Sequence, residues 1–426
     1  MKITVMKILA IIDGLPGGSH RHAVEVLKIL TNIYGHDILV FEEPFHFTSN
    51  SLDEIRKYGL MVHDINYRFQ ELCLNYSNNI SKMLMALYKF LINNEVYCKF
   101  IINELTNDLM HNNIKFDVIL DVHESGISLV YALYLAKKLN VPIIKVLQNE
   151  PFRTFKWFGR GYRHVDGIYG LLEDSYVFLE HRLTKAIYSM AMKGGMLRGI
   201  ASVSQVPIYY SNIEKLSNKY GVKLRIYRYG NAFDKDLIYR YRNIYDKRDY
   251  AVFFGRLTPA KGAWDIIKVA KYLHDINILV FGPISNRIRD RFLRNLPNNL
   301  KYMGYRPINE LYDYVARAKA LIYPSHVDSF PLVILETIAL GTSAVAYDIP
   351  AIRLVYGGLK PVHMVREYDI SSLAHETKRI INMSIDEYVK EHEDERTRRF
   401  LKEHDSWEKV AQETLDFIYE VLGERH

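Results

Sequence analysis

Apolar residues come in short runs along most of the chain, separated by polar and glycine-bearing breaks. Lys7–Asp13 (KILAIID), Asp37–Glu43 (DILVFEE), Phe116–Val122 (FDVILDV), Pro142–Gln148 (PIIKVLQ), Gly199–Ser204 (GIASVS) and Lys223–Gly230 (KLRIYRYG) have the length and β-branched content of strands. Between them the period becomes helical. Val24, Leu27, Leu30 and Ile33 share one face of a helix predicted from Ser19 to Gly35, and Ile127–Leu139 predicts another. Leu52–Tyr58 predicts a short helix, and Ile80–Met110 a long one with a break. After a polar, weakly periodic stretch from Asn231 to Asp249, the alternation resumes. Tyr250–Gly255, Ile276–Gly282, Leu300–Tyr305 and Ala320–Tyr323 read as strands. Helices are marked by Trp264, Ile267, Val269 and Leu273, by a segment ending near Leu296, and by Leu311, Tyr314 and Val315 after Pro307. Strands alternating with helices predict an α/β fold with parallel sheets covered on both faces.

The densest of these units is Tyr323–Asp348. It predicts a strand end, a polar turn, a helix with Ser329 as its N-cap, a stop at Gly341, and a strand Ser343–Tyr347. Asp328 and Glu336 stand eight positions apart, close to two helical turns, so both carboxylates are expected at one end of the element. The free N–H groups of the helix start suit an anion, while carboxylates accept hydrogen bonds from sugar hydroxyls. Together they suit a nucleotide sugar. The competing reading is a buried strand–helix–strand unit in which Glu336 caps a local group.

Composition narrows the class. A chain of 426 residues suits two domains of about 200. With 49% hydrophobic and 25% charged residues it is not a disordered chain. The charge balance, 56 − 49 = +7, fits phosphate-bearing ligands or an anionic membrane surface better than nucleic acid. Cys73 and Cys98 are the only cysteines and form no disulfide framework or metal cluster, which fits a reducing cytosol. The first apolar run ends at Asp13, too early for a signal peptide, and no run is long enough to span a membrane.

Other candidate chemistry lies past the ends of predicted strands. Gly14, Gly17 and Gly18 form a loop that lets backbone approach a ligand, or only a tight turn. His123 follows a strand's carboxyl end, where open α/β sheets bind ligands, although a lone histidine there also suits a structural role. Arg256 and Lys261 share one turn, so both heads are in reach of one diphosphate, or both are simply solvated. Asp234-Lys235-Asp236 is an Asp-x-Asp triplet of the kind common in charged linkers as well as in metal sites. Pro151–His164 interleaves Arg153, Lys156, Arg160 and Arg163 with Phe152, Phe155, Trp157, Phe158 and Tyr162. That mixture suits an anionic headgroup surface, an acceptor-binding loop or an ordinary packed loop.

These segments resemble glycosyltransferase family 4, retaining enzymes of the GT-B fold. Gly255–Gly262 (GRLTPAKG) is similar to that family's G-R-L-x-x-x-K-G, and Asp328–Asp348 to its E-x7-E element. Pro16–Leu30, Ile200–Gln205, Asn299–Ser325 and Ser406–Leu422 resemble its glycine loop and helix, a first-domain strand, the approach to the Pro-Ser turn, and the last helix. The chain departs from the pattern at Asp328, where the family has Glu, at Gly230-Asn231, which reverses the usual order, and at Ile349–Arg353, where Gly-Gly and Pro-Glu are usual. The resemblance implies two Rossmann-like parallel-sheet domains facing a cleft: residues 1–235 on the acceptor side, 236–405 holding the nucleotide sugar, and 406–426 a helix crossing back. It implies His123, Arg256, Lys261 and Asp328 as catalytic residues, with Arg256 and Lys261 on the diphosphate, Glu336 on the ribose and Asp328 on the sugar. Ser329, Phe330, Pro331 and Leu332 would line the donor, and Gly17 and Gly18 would approach its diphosphate or the acceptor from the first domain. It implies no metal or other cofactor, a nucleotide-sugar donor, a glycan or lipid-linked acceptor, and no nucleic acid. The expected location is cytoplasmic and peripheral on the inner membrane face, docked through residues 151–164. An epimerase of the same fold and a non-catalytic nucleotide-sugar-binding protein are the alternatives.

Overall fold

The computed structural model describes residues 5–12, 17–42, 61–62, 115–152 and 163–423. The helices predicted at 52–58 and 80–110, both cysteines, Gly14 and most of 151–164 lie outside the described residues.

The first sheet contains β1 (Lys7–Ile12), β2 (Asp37–Glu42), β3 (Met61–Val62), β4 (Val118–Asp121), β5 (Ile143–Leu147), β6 (Leu197–Ser202) and β7 (Lys223–Ile226). Its order is β3-β2-β1-β4-β5-β6-β7, and every pairing is parallel. β1 shows why its sequence is a continuous apolar run. Ile8, Ala10 and Ile12 join the core on one face, and Leu9 and Ile11 the core on the other. The helix α1 (Gly18–Asn32) covers the first face, and α2 (Gly126–Leu139) with the later part of α3 (Arg163–Lys193) covers the second.

The second sheet contains β8 (Arg248–Phe254), β9 (Asn277–Phe281), β10 (Leu300–Gly304), β11 (Ala318–Tyr323), β12 (Ser343–Tyr347) and β13 (Val362–Val365), ordered β10-β9-β8-β11-β12-β13 and again parallel. Its core is built with α4 (Ala263–Tyr272), α5 (Ile308–Arg317), α6 (Leu332–Ala339) and the helix Ile370–Ile381. The last helix, α7 (Trp407–Leu422), returns to the first sheet, where Trp407, Val410, Leu415, Phe417 and Ile418 enter the same core as α1. This is the GT-B architecture: two Rossmann-like domains and a C-terminal helix crossing back. No helix among the described residues is long and apolar enough to cross a membrane.

Three expectations change. Ser329 does not cap α6, which starts at Leu332 behind Pro331. A residue preceding proline is pushed out of the helical region, so Phe330 cannot be helical and the helix starts late. Asp328 therefore sits in the turn, and the two-turn spacing to Glu336 is not a helical one. The stretch 231–249 is not all linker: it holds a helix, Lys235–Tyr241, with Ile238 buried in the second core. Asp234, the first member of the Asp-x-Asp triplet, caps that helix by accepting from the Leu237 N–H at 2.9 Å.

The crossing between domains is held by unlike groups. Gly230, at φ +31°, lies so close to Val203 that a Cβ would meet the Val203 carbonyl oxygen at 1.9 Å. This is a physical reason for glycine preceding Asn231. The Asn231 side-chain oxygen accepts from His22 Nδ1 at 2.9 Å, and its backbone oxygen accepts from His404 Nδ1 at 2.7 Å. Burial pushes the His22 pKa down to about 4 and lowers that of His404, so these rings act as neutral hydrogen-bond donors at neutral pH.

The contact of α7 with β6 needs a bare backbone at Gly199, where an added Cβ would meet Val421 at 2.6 Å and Phe417 at 3.1 Å. Gly199→Ala should destabilise the protein by about 1–3 kcal/mol through overpacking. Urea unfolding measures it, and a midpoint equal to the parent's would show that α7 gives way at no cost.

Candidate active site in the cleft

Parallel sheets gather their loops at the carboxyl ends of the strands, and both sheets present that edge to the cleft. Two loops of the second domain meet there: the turn after β8, residues 255–262, and the turn between β11 and α6, residues 324–331. They are locked by close approach. Gly262 has φ +80°, and a Cβ on it would meet the Pro324 carbonyl oxygen at 2.2 Å. The His326 N–H donates to Ala260 O at 2.9 Å.

This contact brings Lys261 to Asp328. The ammonium donates to Asp328 Oδ1 at 2.6 Å and to Val327 O at 2.8 Å. Asp328 Oδ2 accepts from the Tyr323 hydroxyl and from Ser325 Oγ, each at 2.8 Å. Burial pushes the Tyr323 pKa well up, and the Asp328 charge adds to it, so this hydroxyl remains a donor. Asp328 is thus engaged on both oxygens before any sugar arrives.

The first domain reaches the same place with the start of α1. Gly17 faces the Arg256 guanidinium, 3.7 Å from where a Cβ would stand, and Gly18 faces Leu332 at 3.6 Å. One turn further along α1, Arg21 donates to the Glu336 carboxylate, which is one turn further along α6. Glu336 is only 5% exposed, and the Tyr312 ring beside it is fully buried. Burial pushes the Tyr312 pKa well up and the Glu336 charge pushes it further. Across the other edge of the cleft, Ser204 Oγ donates to Ser329 O at 3.0 Å.

His123 follows β4. In the sheet order, β4 and β5 lie between β1 and β6, whose loops make these two contacts with the second domain. Topology therefore puts His123 on the loop edge between those two contacts. Next to it, Glu124 Oε1 accepts from Asn149 at 3.0 Å and its backbone oxygen accepts from Tyr188 at 2.9 Å. Beneath lies a fully buried ion pair, Lys145–Asp121, completed by Ser128.

The structure thus brings together Gly17 with Arg256, Gly18 with Leu332, and Lys261 with Asp328. It gives Asp328 and Glu336 separate partners. The Phe330 ring is partly buried. It packs against Tyr356 and His404, at 5.9 and 5.4 Å between centroids, and joins the cores of both domains. Pro331 O accepts from the Tyr356 hydroxyl at 2.8 Å. Arg21, Tyr312, Tyr323 and Ser325 were not singled out from the sequence. Tyr323 and Ser325 flank a recognisable turn, whereas Arg21 lies 315 residues from its partner and carries no local signal.

Residues 234–402 match the family described as "Glycosyl transferases group 1". The second half of the chain is thus similar to group 1 glycosyltransferase domains, and the whole chain has a GT-B fold. The chain is 24% identical over 193 residues to the processive diacylglycerol alpha-glucosyltransferase of Acholeplasma laidlawii, covering 44% of this chain and 52% of that protein. It is 22% identical over 198 residues to the putative teichuronic acid biosynthesis glycosyltransferase TuaC of Bacillus subtilis, covering 43% and 49%. The chain spans about half the length of the curated relatives it matches. Among solved structures, Anabaena Alr3699/HepE in complex with UDP and glucose superposes with a TM-score of 0.67 at 13% identity, over 97% of this chain and 100% of that one. Sucrose-phosphate synthase from Thermosynechococcus elongatus gives 0.68 at 13% identity, over 98% and 99%. At such identities the likeness is one of fold.

His326 fixes the turn that carries Asp328. Its Nδ1 faces Glu367 at 2.9 Å and its Nε2 faces Asp265 at 3.2 Å. Both partners are acceptors, so both ring nitrogens carry protons and the ring is a buried cation. Tyr368 stacks on it at 4.6 Å, and Tyr347 and Lys268 complete the shell by donating to Asp265. Burial alone would lower the His326 pKa, but the bonds to Asp265 and Glu367 outweigh it and the value is raised. Burial would likewise raise Asp265, but the bond and charge of His326 outweigh it and leave that value lowered. The His326 contribution to stability is full below its unfolded value of 6.5 and is lost as pH rises through the folded value. The Asp265 contribution is present above 3.8 and is lost on acidification. The parent should therefore exceed His326→Gln by about 3 kcal/mol near pH 5, and by less as the pH becomes alkaline. Urea unfolding at several pH values checks this; a pH-independent gap refutes the ion cluster.

Proposed function

We propose that the protein is a retaining hexosyltransferase that moves a sugar from a nucleoside-diphosphate sugar to a hydroxyl of a glycan or lipid-linked acceptor. The observation that carries this reading is the pair of locked turns, which sets Lys261 beside Asp328 at the cleft edge of a group 1 glycosyltransferase domain. In the transfer, the anomeric C–O bond to the β-phosphate breaks and a bond to the acceptor oxygen forms. The acceptor proton leaves with the departing phosphate. Arg256 and Lys261 stabilise the charge gathering on that phosphate, a task that requires no metal. Glu336 takes the ribose hydroxyls. Asp328 orients Lys261 and has one acceptor position left on Oδ1 for a sugar hydroxyl. Gly17 and Gly18 close on the donor from the first domain, and His123 lies beside the transferred sugar. UDP-glucose is the first donor to test, because the HepE structures hold UDP and glucose and a relative is named a glucosyltransferase. The epimerase and binding-protein alternatives have no observation in their favour.

Lys261→Ala and Arg256→Ala should each lower turnover by roughly 10²–10³, as the removal of an oxyanion donor does. Steady-state kinetics test this, and rates within a few-fold of the parent reject the diphosphate role. NMR of the product reads the anomeric configuration, and inversion rejects retention.

We also propose that residues 151–164 dock the protein on anionic lipid, a reading supported by their basic and aromatic sequence. The protein should co-sediment with anionic vesicles and not with neutral ones. Equal pelleting with both rejects the idea.

A further inference from the structure

The carboxylate assigned to the ribose is not free in this structure. Arg21, from the other domain, holds one oxygen of Glu336. Glu336 is the more enclosed of the two, with 6% of its side chain exposed against 29% for Arg21. A carboxylate so enclosed is costly without a cation, and Lys261, the cation of the locked turns, bonds to Asp328 instead. The contact is in register with its surroundings. Gly18 meets Leu332, and Arg21 meets Glu336 one turn later on both helices. The Arg21 N–H also donates to Gly17 O at 2.9 Å, which ties it to the glycine that faces Arg256. The first turn of α1 thus touches both the diphosphate turn and the ribose carboxylate. A carboxylate offers about four acceptor positions. Arg21 uses part of Oε1 and the Tyr312 hydroxyl lies beside the same carboxylate, which still leaves acceptor positions for ribose hydroxyls.

We propose that Arg21 is a positioning residue of the donor site, supplied by the first domain: it orients the Glu336 carboxylate for the ribose of a nucleoside diphosphate and makes nucleotide affinity depend on the approach of the two domains. This rests on the reading of Glu336 as the ribose ligand. It assigns the first domain a part in donor binding beyond its glycine loop.

Calorimetric titration with UDP and GDP tests it on the full-length parent, Arg21→Gln, Arg21→Lys, Glu336→Gln and the double variant Arg21→Gln/Glu336→Gln. Arg21→Gln should weaken the nucleotide on the order of ten- to a hundredfold, and Arg21→Lys should recover part of the loss. The donor KM should rise with kcat nearly unchanged, a split that general destabilisation does not produce. The double variant should bind no more weakly than Glu336→Gln alone, because the two residues act as one unit. If Arg21→Gln fails to fold, Arg21→Lys carries the comparison, since its charge is kept and only the fork geometry is lost. Arg21→Gln binding as tightly as the parent, or losses that simply multiply in the double variant, overturn the proposal. Tighter binding by Arg21→Gln also overturns it, because Arg21 would then be occluding the carboxylate. If the parent binds neither UDP nor GDP, the nucleotide reading of the site fails and the role of Arg21 falls with it.

Discussion

The site depends on the close contact between the turn after β8 and the turn after β11. Gly262 presses bare backbone onto Pro324, where any side chain would collide with a carbonyl oxygen. That approach is what puts the Lys261 ammonium 2.6 Å from Asp328 and aligns Ser325 and Tyr323 on the other oxygen. The charges alone would not assemble it. A partly exposed lysine and an aspartate in water gain little from pairing, so the backbone contact has to bring them together first. His326 adds a second tie from the same turn, reaching Asp265 on α4 and Glu367 after β13.

Around that contact the cleft balances its charges pairwise. Lys261 neutralises Asp328, and Arg21 neutralises Glu336. A diphosphate entering such a cleft would add negative charge and compete for Lys261, whereas Arg21, on the enclosed Glu336, would keep its partner. Asp328 is one methylene shorter than the glutamate of the family its sequence resembles, and its carboxylate meets the lysine of the neighbouring turn.

The two domains are joined by more than the chain crossing. Phe330 belongs to both cores, α7 from the end of the chain packs on α1, and Asn231 bonds histidines that come from α1 and from the approach to α7. These contacts sit behind the cleft, whereas Arg21–Glu336 and Ser204–Ser329 span it.

The sequence by itself determined the layers. Continuous apolar runs such as Lys7–Ile12 have to be buried on both faces, which requires parallel sheets with helices on each side and loops at the carboxyl ends. It also pointed to Arg256, Lys261 and Asp328, because charged residues in the turn past a strand have a local signature, and to Glu336 by its spacing from Asp328. It did not determine which charges meet. Helical spacing suggested that Asp328 and Glu336 act together, but Pro331 delays the helix and leaves Asp328 in a turn, within reach of a lysine 67 residues away. Arg21 is one more polar residue on α1 until the second domain is placed against it, and the packing of Phe330 on Tyr356 and His404 is equally absent from the local sequence. Local pattern encodes what each segment buries and where it turns. Pairing across a cleft is encoded in no segment, because it depends on the relative placement of two cores, and only the tertiary structure decided it.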